Sequence, residues 1–292
     1  MYLLLFQEEA DTRMILHCFH IARHLYSSGA IIIRSPDTDV FVLLMKYSQN
    51  IDIPLFMDTG YGDKRRLISV KAAVQATGSE LCNALLSFHA FTGCDTTSSF
   101  MRKGKVGPLR LLKNNPQYIP VFTSLGTSST PTHGQLEDLE AFTCLLYGAR
   151  SGIKDINKLR YTMFMARYTP QNQLLSSDSG IDLSLLPPCR SSLHMHIARV
   201  NYQTHIWNQA NLPYPELQKP YQGHGWILCG DKLEYKWTQE DILPKELMDL
   251  VLDQDEGDKY EEDNDLYTEV YNIHEDVIDY EEFEEEEEED LM

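Results

Sequence analysis

The sequence has no Cys-x-x-Cys pair, no Gly-x-Ser-x-Gly motif and no apolar run approaching the roughly 20 residues that span a bilayer. Its six cysteines are scattered, which favours free thiols over a disulfide framework or a structural zinc site. Without a nucleophile elbow, Ser-His-Asp hydrolysis has no local support. The opening run Met1–Phe6 is too short for a signal peptide, so we expect an intracellular protein with no membrane partner.

Basic residues are scarce in one part of the chain only. Residues 253–292 contain 21 Asp or Glu and one Lys, a net charge of −20, whereas residues 1–252 contain 24 Lys or Arg and 23 Asp or Glu, a net charge of +1. The neutral part of the chain therefore does not exclude nucleic acid as a partner. The acidic tail has low complexity, and we expect it to be disordered.

Short apolar runs alternate with helical patterns in the first 125 residues. β-branched runs predict buried strands, and apolar residues three or four apart predict helices. The predicted strands are Ala30–Ile33, Ile53–Met57 and Leu67–Val70, with a further strand-like run at Val40–Met45, and the predicted helices are Glu9–His24, Lys71–Gly78 and Ser79–Phe91. This alternation predicts an α/β domain with a mainly parallel sheet.

The pattern becomes mostly helical after a loop or domain boundary at Leu125–Gly134. Helices are predicted at Leu136–Tyr147, Ile156–Arg167 and Leu193–Gln209, while Tyr214–Trp237 is rich in Pro, Gly and aromatic residues and has few clear elements. We therefore predict three parts: an α/β domain at 1–125, a helical and Pro/aromatic-rich region at 126–252, and the acidic tail at 253–292.

Five acidic residues stand where a carboxylate is structurally awkward. They are Glu9 and Asp11 at the start of a helix, Asp37 and Asp39 between two apolar runs, and Asp95 directly after an apolar helix. Ligands of open α/β sheets collect at the carboxyl ends of strands, which is where Asp37 and Asp39 are expected. Clustered carboxylates repel each other unless cations neutralise them, and Mg²⁺ or Mn²⁺ suits hard oxygen ligands. Two such ions about 3.5–4 Å apart can hydrolyse a phosphodiester bond.

Each of these fragments also has a simpler interpretation when it is taken alone. Acids in a first helical turn complement the helix dipole, which would account for Glu9 and Asp11. An Asp-x-Asp after a strand occurs in many turns, and Gly93–Thr97 would close one helix and cap the next. The order and spacing of the five acids together are what favour a metal site.

The same order of motifs resembles the flap-endonuclease superfamily of structure-specific 5′ nucleases, whose catalytic domain is PIN-like. In that family a Glu-Ala-Glu motif opens a helix, and Glu9–Asp11 is similar, with Asp in place of the second Glu. The family's Asp-x-Asp after a buried strand matches Asp37–Asp39, and its Leu-Leu-Gly-x-Asp motif corresponds to Ala90–Asp95. The resemblance implies a partial PIN-like domain that holds two Mg²⁺ or Mn²⁺ ions through Glu9, Asp11, Asp37, Asp39 and Asp95.

The family also carries a helix–turn–helix element whose glycine-rich turn binds the DNA backbone, and Arg102–Pro108 before a Leu-rich helix is similar. Backbone N–H groups at a helix start and nearby Lys side chains bind phosphate. A solvated basic loop is the alternative. The resemblance implies that DNA, structured or at a junction of single strand and duplex, is bound by Arg102, Lys103, Gly104, Lys105 and Gly107. It also implies a nuclear protein, with the cytoplasm as the alternative location.

The complete pattern further resembles an uncharacterised, mobile-element-like family of animal proteins, including Arg199–Gln203, Trp207 and Gly223–Trp226, whose aromatics we expect to pack in the core. PIN-like nucleases take two more metal-binding Asp residues from an earlier strand and the region after it. Only eight residues precede Glu9, so we expect the first half of that domain to be missing. Two functions follow: a metal-dependent DNA nuclease-like protein, inactive if its metal site is incomplete, or a non-catalytic remnant that binds nucleic acid or a protein.

Two other arrangements could carry chemistry. An Asp-x-Asp after a strand also fits haloacid-dehalogenase-like phosphatases, which need a later acidic pair and a Lys. Here these would be Glu137 and Asp138, with Lys154 or Lys158. A second arrangement is the helical face formed by His17, His20 and His24, which predicts either a metal site or an exposed polar surface.

Overall fold

The computed structural model describes residues 9–24, 29–149, 152–166, 182–216 and 218–238. Within these ranges the chain combines helices with short strands, which confirms the general α/β expectation. The acidic tail at 253–292 lies outside the described residues, so its expected disorder stays a prediction. None of the helices described is both long enough and apolar enough to cross a membrane.

Most of the described helices correspond to helices predicted from the sequence. They are α1 (Ala10–His24), α2 (Thr38–Tyr47), α3 (Val70–Thr77), α4 (Ser79–Phe91), α5 (Val106–Asn114), α6 (Ile119–Ser124), α7 (His133–Leu146), α8 (Ile156–Met165) and α9 (Arg190–Trp207). The described strands are β1 (Ile31–Arg34), β2 (Leu55–Thr59), β3 (Arg66–Ser69), β4 (Trp226–Cys229) and β5 (Lys232–Tyr235). Helices α1, α3 and α4 begin and end within about one residue of their predicted bounds.

The main sheet is mixed, whereas the sequence predicted a mainly parallel one. Its strand order is β1-β2-β3; β1 pairs with β2 in parallel, and β2 pairs with β3 antiparallel. The reason is the connection from β2 to β3, which contains only residues 60–65. A parallel return needs a crossover of a dozen or more residues, so this short turn can only produce a hairpin.

The run Val40–Met45 belongs to helix α2, so the strand-like interpretation of its sequence was wrong. Asp37 is the N-cap of α2, and its Oδ1 accepts a hydrogen bond of 2.9 Å from the Asp39 backbone N–H. The helix is buried on most of its surface, including Val42 and Leu44. A short, uninterrupted apolar run such as this one cannot be distinguished from a buried strand by its periodicity.

The chain forms two compact units. The first contains the described residues within Met1–Ser99, Asn115–Gln135 and His196–Lys236, and the second those within Phe100–Asn114, Leu136–Met195 and Trp237–Met292. In the first unit α4 packs against α2 and α6, and Phe88 and Phe91 both contact the Phe122 ring edge-on. The second unit has its own apolar core of Cys144, Leu146, Tyr147, Ala149, Ile156, Leu159, Met163 and Leu186.

Helix α9 and the hairpin of β4 and β5 bring the C-terminal region into the first unit. Asn201 is fully buried; its Oδ1 accepts from the Gly126 N–H at 2.8 Å, and its Nδ2 donates to the Ser128 carbonyl at 3.0 Å. The residues predicted as a loop or boundary at Leu125–Gly134 are therefore bound to α9. The hairpin lies in the stretch where few clear elements were expected, and Gly230-Asp231 is its two-residue turn.

Candidate functional site

The five acids of the sequence motifs lie on three segments of the first unit. Glu9 and Asp11 stand at the start of α1, Asp37 and Asp39 at the start of α2, and Asp95 in the turn after α4. The start of α2 follows the carboxyl end of β1, because β1 ends at residue 34. This is the edge of the sheet at which the sequence pattern predicted the carboxylates to collect.

Asp11 responds electrostatically to all four of the other acids. Its pKa is raised from 3.8 to about 6, first because burial desolvates the carboxylate and then because Asp37, Asp39, Glu9 and Asp95 repel its charge. A like charge acts strongly only at short range in a partly buried site. The charges of the other four acids therefore act on Asp11, and we call these five residues the acidic cluster.

Asp39 is held by a buried histidine from α4. The His89 Nε2 lies 2.6 Å from Asp39 Oδ1, and both side chains are largely buried, with 6% and 13% of their surface exposed. The His89 ring also lies 6.2 Å from the Trp207 ring. A carboxylate with such a partner keeps a fixed orientation, as carboxylates in metal centres commonly do.

Glu9 is held by two side chains of α9 that are nearly 200 residues away in sequence. Gln203 Nε2 donates to Glu9 Oε1 at 2.8 Å, and Trp207 Nε1 donates to Glu9 Oε2 at 3.0 Å. The other end of the Gln203 amide accepts a hydrogen bond of 2.7 Å from the Thr96 hydroxyl. Because Thr96 follows Asp95, Gln203 connects two separate parts of the acidic cluster.

A tight turn after α4 carries Asp95 at the surface. Gly93 has a φ of 111°, and a Cβ atom there would lie 2.7 Å from the Cβ of Ser99. Cys94 and Thr97 pair through their backbones, and the Thr97 hydroxyl donates to the Ala90 carbonyl at 2.6 Å. The turn is therefore closed by internal hydrogen bonds, and only glycine fits at its first position.

The five acids are of the residue type that a hard divalent cation prefers, but their side chains are not arranged around a common point. Five carboxylates supply oxygen ligands, which Mg²⁺ and Mn²⁺ prefer, and the raised pKa of Asp11 reports the repulsion that a cation would relieve. In the described ranges, no three His, Cys, Asp or Glu side chains are arranged so that they could hold one ion. Glu9 and Asp39 instead use their oxygens to accept hydrogen bonds from α9 and α4.

Three residues of the site were not predicted from the sequence. Gln203 and Trp207 lie in stretches that the comparison of motifs quoted, whose aromatics we expected to pack in the core, and His89 lies within the predicted helix Ser79–Phe91. Gln203 and Trp207 are four residues apart and so share one face of α9. That spacing, and a histidine within the otherwise apolar helix α4, are the sequence features that could have indicated polar partners.

The basic loop predicted to bind DNA lies in the second unit. Lys103 Nζ lies 4.9 Å from the centre of the Tyr147 ring, and Arg102 pairs with Asp182 at 3.9 Å. Gly104 has a φ of 48°, as a turn glycine should. Gly107 was expected in the same turn but is the second residue of α5. A Cβ atom added at this position would meet no other atom within 4 Å.

The remaining candidates lie on α1 and in the second unit. The His20 and His24 rings contact each other edge-on at 4.5 Å, and His17 is exposed. The acidic pair and lysines that a dehalogenase-like phosphatase would need, Glu137, Asp138, Lys154 and Lys158, belong to the second unit.

The similarity of the chain to known proteins was tested in three ways. No protein-family model matches it, and neither a curated protein nor a solved structure does so. The resemblance to 5′ nucleases therefore stays a prediction from motifs, and the function has to be argued from the chemistry of the site.

Proposed function

We propose that this chain is a metal-dependent, DNA nuclease-like protein that hydrolyses phosphodiester bonds at the acidic cluster with two Mg²⁺ or Mn²⁺ ions. One observation carries the proposal: Asp37 and Asp39 follow the carboxyl end of β1, where their charges, with those of Glu9 and Asp95, act on the partly buried Asp11. Carboxylates that repel each other in a partly buried site require either protons or cations. At neutral pH, cations are the available neutraliser.

The proposal includes a PIN-like identity for the α/β part of the first unit. What supports it is the parallel pair of β1 and β2, with Asp37 and Asp39 following the carboxyl end of β1. Ligands of open α/β sheets bind at that edge. Glu9, Asp11 and Asp95 reach the same cluster from α1 and from the turn after α4.

The residues of the chain have two kinds of role in this proposal. Glu9, Asp11, Asp37, Asp39 and Asp95 would hold the ions. Three further residues, His89, Gln203 and Trp207, would keep two of these carboxylates oriented through hydrogen bonds. When bound, the ions would supply an activated water and stabilise the leaving oxygen of the phosphodiester.

The test is stoichiometric Mn²⁺ binding combined with cleavage of flap and single-stranded DNA. Asp37→Asn is the informative variant, because Asn still caps α2 while the charge at the acidic cluster is lost. Asp155→Asn is the matched control, since Asp155 caps α8 in the second unit. We expect Asp37→Asn to weaken Mn²⁺ binding at least tenfold and to abolish cleavage, while Asp155→Asn does neither.

Absence of Mn²⁺ binding by the wild-type protein would reject the nuclease proposal. If salt-sensitive DNA binding persisted without metal binding or cleavage, the second function predicted from the sequence, a non-catalytic binding protein, would hold instead. Equal losses in Asp37→Asn and Asp155→Asn would show that the effect is one of stability and not of ligation.

A further inference from the structure

Two arginines share one buried carboxylate beside the carboxyl edge of the main sheet. Arg34 Nη1 lies 2.7 Å from Asp58 Oδ2, while Arg65 donates through Nη2 to Oδ2 at 2.6 Å and through Nε to Oδ1 at 2.9 Å. Arg34 ends β1 and Asp58 is its partner in β2, so the strand pairing brings them together. We call Arg34, Asp58 and Arg65 the arginine clamp.

The clamp keeps a net positive charge at the surface. One carboxylate balances only one of the two guanidinium groups, and hydrogen bonds from Arg65 and Arg34 hold the pKa of Asp58 well below its usual range. The Asp58 side chain is 9% exposed, but those of Arg34 and Arg65 are 49% and 61% exposed. Lys64 and Arg66 are exposed on either side of Arg65 in the sequence, and the exposed Asp63 offsets one of their two charges.

The loop after β2 adds a rigid aromatic side chain to this surface. Tyr61 is 71% exposed, and the Arg34 guanidinium lies 5.8 Å from the centre of its ring. Gly60 has a φ of 80°, and a Cβ there would lie 2.3 Å from the Lys64 carbonyl oxygen, so the loop is tightly folded. Fixed cations next to an exposed aromatic ring are the combination that binds single-stranded nucleic acid.

The clamp is connected to the acidic cluster by two hydrogen bonds. The Ser35 N–H donates to the Asp58 carbonyl at 3.2 Å, and the Asp37 N–H donates to the Ser35 hydroxyl at 3.1 Å. Arg34 and Asp37 are three residues apart, which limits their Cα separation to about 10 Å. A strand with one phosphate per roughly 3.4 Å of rise could therefore contact both groups within a few nucleotides.

We propose that Arg34 and Arg65 bind a phosphodiester group of the DNA strand whose neighbouring phosphates lie at the acidic cluster. This inference rests on the proposed function and names where its substrate is held. Guanidinium groups are suited to phosphate because their donors are planar and charged. The clamp and the acidic cluster belong to the same unit, whereas the basic loop predicted from the sequence belongs to the other.

The experiment measures binding of a fluorescent single-stranded 12-mer in EDTA as a function of salt, for the wild type, Arg65→Gln and Arg34→Gln. Each variant should bind about tenfold more weakly, with a salt slope smaller by about 0.7, and equally for unrelated DNA sequences. Arg65→Lys should keep most of the salt slope because it keeps the charge. Arg23→Gln, at an exposed position in the last turn of α1, is the matched control and should bind like the wild type.

Three results would overturn the inference: no DNA binding by the wild type at low salt, unchanged affinity and slope in Arg65→Gln and Arg34→Gln, or an equal loss in Arg23→Gln. Thermal unfolding checks that each variant folds. If the clamp variants do not fold, the exposed double variant Lys64→Gln/Arg66→Gln replaces them; it should lower the salt slope, and an unchanged slope counts against the clamp. Mn²⁺ binding by the wild type is measured as well. If the wild type binds Mn²⁺ but the clamp variants bind DNA normally, the clamp inference fails and the nuclease proposal stands.

Discussion

Asp11→Asn should stabilise the protein at neutral pH when no divalent metal ion is added. The pKa of Asp11 is raised from 3.8 to about 6 by burial and by the charges of Asp37, Asp39, Glu9 and Asp95. Ionised Asp11 therefore lowers the free energy of unfolding. Asn has almost the same shape and no charge, so the substitution removes this cost with little change in packing.

The size of the effect follows from the position of the carboxylate. A rise in pKa from 3.8 to about 6 corresponds to at most about 3 kcal/mol for the ionised form. Asp11 is only partly buried, and screening by solvent reduces the expected gain to about 1 kcal/mol. For a protein of this size such a gain raises Tm by about 2–4 °C.

The pH dependence of the gain has a definite sign. Because the pKa of Asp11 is higher in the folded than in the unfolded protein, the folded state binds more protons between about pH 4 and pH 6. The stability of the wild type should therefore fall as pH rises through this window. The advantage of Asp11→Asn should be complete above about pH 6 and absent below about pH 4.

Thermal unfolding followed by circular dichroism, in EDTA between about pH 4 and pH 8, measures this difference. Asp52→Asn, at an exposed position, serves as the control. If Asp11 merely complements the dipole of α1, its neutralisation should instead cost about 0.5 kcal/mol. A lower Tm for Asp11→Asn at about pH 7.5, or a gain that persists at about pH 4, would refute the acidic cluster. Added Mn²⁺ should raise the Tm of the wild type more than that of Asp11→Asn.

Three further predictions concern the surroundings of the site. Trp207→Phe removes the N–H donor to Glu9 but keeps an aromatic ring, and Mn²⁺ affinity, measured by electron paramagnetic resonance titration, should fall about tenfold. Gly93→Ala places a Cβ against the backbone across the turn, so chemical unfolding should show a loss of 1 kcal/mol or more, on the order expected for a strained position. Glu140→Ala removes the buried partner of Arg190 in the second unit and should cost about 2–4 kcal/mol while leaving Mn²⁺ affinity unchanged.

Local sequence patterns predicted the helices in which apolar residues recur at helical spacing. The periodicity of α1 and α4 gave their bounds because each has apolar residues at regular spacing, and Gly78 separates α3 from α4. The same reasoning failed for α2, because Val40–Met45 is an uninterrupted apolar run no longer than a typical strand. The mixed sheet could have been predicted from the short connection after β2, which excludes a parallel crossover.

One part of the candidate site could be predicted from local sequence patterns. The other part depends on contacts between residues that lie far apart in the sequence. The five acids were identifiable because each interrupts or borders an apolar run, and their order matched a known arrangement of motifs. Their hydrogen-bond partners were not identifiable, because Gln203 and Trp207 lie 194 and 198 residues from Glu9. Such contacts depend on how α9 packs, and no short-range pattern in a single sequence reports that packing.

Helix α9 also shows why the acidic cluster depends on more than the first 125 residues. Its buried Asn201 binds the backbone at Gly126, and its Gln203 holds both Glu9 and Thr96. Trp207 completes the contacts to Glu9 and accepts, through its carbonyl, a hydrogen bond of 2.8 Å from the Tyr47 hydroxyl at the end of α2. Helix α9 thus contacts the start of α1, the turn that carries Asp95, and the end of α2. The orientation of the carboxylates is therefore a property of the folded unit as a whole. Substitutions in α9 should change metal affinity although they replace no acidic residue.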